Sequence, residues 1–214
     1  MLVYFFRHGE TMWNREKRIQ GTTPHTDLTD FGVRLAAWTR DGLAARGVRF
    51  DRAYTSPLRR AAHTAEIILE GQSCPLVADG RLREMGFGPY EGTRMGEGLW
   101  ADDNIRAMFK DPVNYRPPAG AETFDAVAAR LSDFLENEIA PLEGKCETVL
   151  AVGHGGLMRT LLRILLHTPV AKYWDGRQPN CCAHIVSVED GVFTLAAQSA
   201  VFYDEALAAT VPSV

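Results

Sequence analysis

Leu2-Val3-Tyr4-Phe5-Phe6-Arg7-His8-Gly9-Glu10-Thr11 opens the chain, and Thr148-Val149-Leu150-Ala151-Val152-Gly153-His154-Gly155-Gly156 repeats its plan far downstream. In each, a short apolar run of β-favouring residues meets a histidine followed by glycine. Such runs read as strands buried on both faces, as in a parallel sheet covered by helices. If residues 2–6 and 148–152 are parallel neighbours, His8 and His154 leave the sheet at one edge. Ligands of open α/β sheets bind outside the carboxyl ends of the strands, so that edge is the place to look for chemistry.

The surrounding sequence supplies the remaining layers. Residues 29–47 begin with a capping threonine and end at glycine, with Phe31, Leu35, Trp38 and Leu43 available for a buried face. Residues 52–55 read as a second short strand. The spacing then predicts a helix over 57–70, with Ser56 as its cap and Pro57 at its first position. A short strand near 76–78, a helix over 123–139 and another helix after 148–152 continue the alternation. Residues 183–189 and 192–198, joined near Asp190-Gly191, read as a hairpin at one sheet edge. This order predicts an α/β fold: a mostly parallel central sheet with helices on both faces and an antiparallel edge hairpin.

At 214 residues and 46% hydrophobic, the chain suits one domain over 1–214. Residues 86–122, rich in glycine and proline, read as an excursion covering the active end of the sheet. Within it, Trp100, Phe109 and Tyr115 are candidates either to line a substrate cover or to pack it. A net charge of -4 and a pI near 5.9 argue against nucleic-acid or acidic-membrane partners, which require clustered Lys and Arg. The apolar stretch 157–166 is interrupted by Arg159 and Arg163, so nothing approaches the ~20 apolar residues of a membrane span. Without a basic leader before a cleavage site, a soluble cytoplasmic protein is the default expectation, as monomer or homodimer. Cys74, Cys146, Cys181 and Cys182 show no CxxC spacing and are expected as thiols. No HxxxH or HExxH occurs, so no metal site is expected.

Arginine, histidine and glutamate in these turns fit one kind of reaction. A phosphate ester repels nucleophiles through its negative oxygens, so its displacement needs cationic donors around the phosphoryl group and an aligned nucleophile. Arg7 and Arg60 can be the donors. A neutral imidazole can be the nucleophile and form a phosphohistidine, which makes His8 the candidate and His154 a charge-stabilising partner. Glu84, after the strand near 76–78, can serve in turn as acid and base.

These residues carry a resemblance. Arg7-His8-Gly9-Glu10-Thr11 with Trp13-Asn14 resembles the opening motif of the histidine phosphatase superfamily, in its phosphoglycerate-mutase-like branch. Further blocks follow in order: Arg18-Ile19-Gln20-Gly21, Leu28-Thr29 with Gly32, Ser56-Pro57-Leu58-Arg59-Arg60-Ala61 with Thr64-Ala65, Leu82-Arg83-Glu84 with Gly88 and Glu91-Gly92, and Val152-Gly153-His154-Gly155-Gly156. The resemblance implies a three-layer α/β/α sandwich without a required metal or dissociable cofactor. By position it implies His8 as the phosphorylated histidine, and Arg7, Arg60 and His154 as the phosphate pocket. Glu84 is implied as proton donor and acceptor, with Asn14, Gln20, Gly21 and the Gly155 amide as supporting phosphate or substrate contacts.

Within that family, mutases and phosphatases share the phosphohistidine step. Met85-Gly86-Phe87-Gly88-Pro89-Tyr90 departs from the basic, tyrosine-containing pattern of the cofactor-dependent mutases, and the longer cover of those enzymes is missing. The expectation is therefore a phosphatase for a small phosphorylated metabolite, such as a sugar phosphate or α-ribazole phosphate. The alternatives are a mutase-type transfer and a non-catalytic phosphate-binding module. His25, His63, His167 and His184 carry no motif, and surface or structural roles are expected for them.

Overall fold

The computed structural model describes residues 1–23 and 26–210. In chain order its elements are β1 (Leu2–Arg7), α1 (Met12–Arg15), α2 (Asp30–Ala45), β2 (Arg52–Thr55), α3 (Arg59–Ile68) and β3 (Leu76–Ala78). There follow α4 (Glu97–Trp100), α5 (Asp103–Lys110), α6 (Phe124–Phe134), β4 (Thr148–Gly153), α7 (Gly155–Leu166), β5 (Ala183–Glu189), β6 (Val192–Ala200) and α8 (Glu205–Thr210). The strands form one sheet in the order β3-β2-β4-β1-β5-β6. β3, β2, β4 and β1 run parallel, while β5 pairs antiparallel with β1 and with β6. This is the mixed α/β sheet expected, with the hairpin at one edge.

Alternation along the central strands creates the layers, because successive side chains point to opposite faces. Val3, Phe5, Val149 and Ala151 enter a core with Val127, Leu131 and Phe134 of α6 and Leu157 and Leu161 of α7. Tyr4, Phe6, Leu150 and Val152 enter the opposite core with Leu43 of α2 and Ala61, Ala65 and Ile68 of α3. Runs that are apolar at every position are therefore what a sheet covered on both faces requires. The hairpin turn has Asp190 and Gly191 both at positive φ, 52° and 73°, the two-residue geometry whose twist matches its strands.

Several boundaries differ from the sequence expectation. The helix expected over 57–70 begins only at Arg59, because the Ser56 hydroxyl is not a helix cap: it faces His154 Nε2 at 2.8 Å and accepts from the Leu58 amide at 3.3 Å. The helix expected over 123–139 is α-helical only to Phe134 and passes through a wider turn, Leu135–Ile139, before Pro141, whose ring nitrogen cannot donate. The 86–122 excursion contains α4 and α5. Asp102 caps α5 by accepting from the Asn104 and Ile105 amides at 2.9 and 3.1 Å, and only Ile105 and Met108 of this helix are buried. Two buried positions are too few to set up a visible period.

The loop that carries the first histidine is seated on α2 through two glycines. A Cβ on Gly32 would lie 2.1 Å from the Glu10 carbonyl oxygen, and one on Gly9 would lie 2.7 Å from the Gly32 oxygen. At an ordinary helical position Gly→Ala stabilises by up to about 1 kcal/mol, whereas overpacking against backbone costs about 1–3 kcal/mol. Gly32→Ala is thus expected to lower the urea midpoint; a raised midpoint would show that the loop does not sit this close.

Candidate active site

The pairing of β1 with β4 sets Arg7 opposite Gly153, so the next residue of each chain segment is a histidine. The His8 amide donates to the Gly153 carbonyl at 3.0 Å, and the His8 and His154 ring centroids are 5.2 Å apart. The two side chains are only 3% and 0% exposed. His8 Nδ1 lies 2.7 Å from the Gly9 carbonyl oxygen, which can only accept. The ring proton therefore sits on Nδ1 and the lone pair on Nε2. Burial, followed by the Arg60 and Arg7 charges, holds the His8 pKa well below the usual histidine range. Burial and Arg60 do the same to His154. His154 Nε2 lies 2.8 Å from Ser56 Oγ, which also accepts from the Leu58 amide, and His154 Nδ1 is buried without a partner among the described residues.

Arg60 is completely buried on α3. Its guanidinium donates to the Gly21 carbonyl at 2.7 Å, the Thr23 carbonyl at 3.1 Å and the Thr26 hydroxyl at 3.1 Å. Burial pushes its pKa down to about 10, with Glu84 and Glu91 opposing, so it remains a cation at neutral pH. Arg7 donates to the Gln178 carbonyl at 2.6 Å, and its pKa too is lowered by burial. Glu84, 7% exposed, receives the first turn of α7: Oε2 accepts from Gly156 at 3.0 Å, while Oε1 accepts from Leu157 at 3.1 Å and from Met85 at 2.8 Å. A carboxylate is favoured at a helix N-terminus, and only glycine fits at 156, where a Cβ would lie 2.6 Å from Glu84 Oε1.

Arg7, His8, Asn14, Gln20, Glu84 and Gly155 line one cavity of about 400 Å³. Arg60 and His154, both fully buried, are not part of its lining. Asn14 closes a capping box with Thr11, and its Oδ1 accepts from the Thr11 amide at 3.1 Å and from Asn180 Nδ2 at 3.3 Å, which leaves Nδ2 for the cavity. Gln20 Nε2 donates to the Thr11 hydroxyl. Gly21 lies outside the lining, and its carbonyl aims Arg60. Arg59, the neighbour of Arg60, pairs with Glu66 and Asp27 at the surface.

Asn180 and Glu91 were given no role from the sequence, although Glu91 falls in one of the family-like blocks. Asn180 Nδ2 donates to the His8 carbonyl at 3.0 Å, from a segment before β5 that shows no motif. Glu91 accepts from the Thr22 amide and hydroxyl at 2.9 and 3.1 Å, from the Thr23 amide at 2.9 Å and hydroxyl, and from the Phe87 amide at 3.1 Å. It thereby ties the loop that aims Arg60 to the 86–122 excursion; burial raises its pKa, but these donors outweigh burial and lower it. Ile19, Phe87, Met95, Phe109 and Trp174 give the cavity an apolar wall, and Lys17, Arg18 and Arg159 add positive charge. Of the three excursion aromatics singled out from the sequence, Phe109 lines the cavity, Trp100 packs edge-on against it at 5.7 Å, and Tyr115 is buried against Phe124.

Among the described residues no three His, Cys, Asp or Glu side chains are grouped to hold a metal ion, and no helix is long and apolar enough to cross a membrane. All four cysteines are free. His63 pairs with Asp27 at 2.8 Å, His167 closes α7 at φ 50°, and His184 is buried on β5. His25 lies outside the described residues.

The family model for the histidine phosphatase superfamily (branch 1) matches residues 3–200. The chain belongs to this superfamily. It is 34% identical to the 2,3-bisphosphoglycerate-dependent phosphoglycerate mutase of Methylobacterium sp. (strain 4-46), over 77% of this chain and 80% of that protein. To the adenosylcobalamin/alpha-ribazole phosphatase of Salmonella typhimurium it is 31% identical, over 91% and 94%. Among solved structures, Bacillus stearothermophilus YhfR superposes with a TM-score of 0.84 at 33% identity, covering 94% of this chain and 97% of that one. The alpha-ribazole phosphatase of Shigella flexneri gives 0.80 at 28%, covering 94% and 96%. These histidine phosphatases share the phosphoglycerate mutase-like fold.

Two measurements check the electrostatics. Ser56→Ala removes the partner of a buried imidazole nitrogen, an expected loss of about 1–3 kcal/mol in chemical unfolding; an unchanged midpoint would show that the hydroxyl does not hold His154. His8 and His154 are neutral in the folded protein, whereas unfolded histidines titrate near 6.5. The unfolded chain then takes up protons first as pH falls, so stability is expected to drop below about pH 6.5 by up to about 1.4 kcal/mol per pH unit for each such histidine, until the folded pKa is reached. Urea midpoints that stay level from pH 7.5 to 5 would contradict neutral burial.

Proposed function

We propose that the chain is a metal-independent phosphomonoester hydrolase that works through a phosphohistidine at His8. The observation that carries this reading is the tautomer of His8: Nδ1 is committed to the Gly9 carbonyl, leaving an unprotonated Nε2 in a buried, cationic setting. In this mechanism Nε2 attacks phosphorus as the bond to the leaving oxygen breaks. Arg7, Arg60, His154, Asn14 Nδ2 and the Gly155 amide take up the charge on the phosphoryl oxygens, as a metal ion does in other phosphoryl-transfer sites. Glu84, within the same cavity, gives a proton to the leaving oxygen and later takes one from the water that cleaves the phosphohistidine. Gln20 supports this set through Thr11, and Gly21 through Arg60.

Hydrolysis of a small phosphorylated metabolite is favoured over mutase transfer by the apolar wall, which offers a leaving group contacts other than charge. It is also supported by similarity to the Salmonella phosphatase over nearly the whole of both chains, against 77% of this chain for the Methylobacterium mutase. The test is release of inorganic phosphate from a panel of phosphomonoesters in chelator, by the intact protein and by His8→Ala. Chelator-resistant release, lost by at least on the order of 10³-fold in the variant, is expected for removal of a covalent nucleophile. Equal release by His8→Ala would overturn the assignment, and transfer between phosphoglycerates in place of release would establish the mutase reading.

A further inference from the structure

Gln178 carries two features that the reaction described above leaves unused. Its main-chain carbonyl holds Arg7 Nη1, its residue lines the cavity beside Arg7 and His8, and the side chain is 6% exposed. One terminal atom of its amide lies 3.3 Å from His184 Nε2, while the other is buried without a partner among the described residues. Which atom is nitrogen follows from the histidine. His184 Nδ1 accepts from the Ser199 main-chain amide at 3.0 Å, and this donor cannot be reversed. Burial, then Arg159, pushes the His184 pKa down to about 4, so the ring is neutral and its one proton sits on Nε2.

That N–H needs an acceptor. With the Gln178 nitrogen facing it, two donors would oppose each other. A half turn about the last torsion puts Oε1 on the His184 N–H and moves the NH2 group to the buried position that lacks a partner. An unpaired amide in a protein interior is costly, and for a residue that lines the same cavity as Arg7 and His8 the complementary partner is an anionic oxygen.

We propose that Gln178 is a further binding residue of the site, donating from Nε2 to an oxygen of the phosphoryl group held beside Arg7. His184 and Ser199 act behind it as positioning groups that fix the orientation of the amide. The inference rests on the phosphoryl-transfer reading, and inorganic phosphate separates the two, because its binding is measured without turnover.

The experiment compares the intact protein with Gln178→Leu and Gln178→Glu, by calorimetric titration with inorganic phosphate and by kcat/KM on the best phosphomonoester. Gln178→Leu removes the donor; a loss of about 10- to 100-fold is expected in phosphate affinity and in kcat/KM, the scale of a hydrogen bond to a charged group. Gln178→Glu keeps an acceptor for His184 but sets an anion in place of the donor, so its loss is expected to be at least as large and to recover partly as pH is lowered. This near-isosteric variant decides the matter if the leucine variant does not fold. Weakened phosphate binding without turnover by the intact protein would support the Gln178 donor while sinking the hydrolase. Folded variants that bind phosphate within twofold of the intact protein, with the intact protein active, would overturn the Gln178 inference alone.

Discussion

Two guanidinium groups, the fully buried Arg60 and the half-buried Arg7, stand at the carboxyl edge of this sheet, and among the described residues neither is paired with a carboxylate. Arg60 is held by two carbonyls and a hydroxyl, and Arg7 by one carbonyl. A direct ion pair would have lowered the desolvation cost but would also have cancelled the charge. Carbonyl partners fix the direction of each cation and leave its field intact, which suits a site that must receive a multiply charged phosphoryl group. Much of the neighbouring structure serves to hold those carbonyls. Glu91 gathers the amides and hydroxyls of Thr22 and Thr23, so that the 21–23 loop presents its oxygens to Arg60. Arg159 performs the reciprocal task on the segment that leads to Gln178, donating to the carbonyls of Asp175 at 2.6 Å and Gly176 at 3.0 Å.

The same uncancelled charge controls the histidines. An imidazole beside two cations and away from water resists protonation, so His8 and His154 remain neutral where exposed histidines would begin to charge. Strand register supplies proximity and the Gly9 carbonyl supplies the tautomer. The nucleophile, its orientation and its ionisation thus come from three local causes. Each can be disturbed separately.

The sheet was legible because its central strands are apolar at every position, and the helices because their caps and stripes were intact. Thr29 accepts from the Gly32 amide as its position before α2 implies, and Thr123 accepts from the Ala126 amide at 3.0 Å before α6. Ser56 shows the limit of such reading. A serine before proline and an apolar stripe looks the same whether its hydroxyl caps a helix or supports a histidine 98 residues away. The histidines, Arg60 and Glu84 could be picked out because they sit in turns directly after strands or in recognisable blocks. Asn180, Gln178 and Trp174 could not, since they reach the site through tertiary packing from segments without any period or motif, whereas Phe109 stood out as a candidate cover residue and does line the cavity. Gly21 was legible as a site residue but not in its role, because a carbonyl that aims an arginine leaves no trace in residue type.

The central claim is that His8 Nε2 becomes phosphorylated during turnover. The most direct measurement is rapid quenching into alkali, where phosphohistidine survives, followed by peptide mass spectrometry of the enzyme mixed with its best phosphomonoester. A phosphoryl group located on His8, formed and lost at rates that account for steady-state turnover, is the expected result. Turnover with His8 unmodified at every time point, or with the phosphoryl group on another residue, would contradict it.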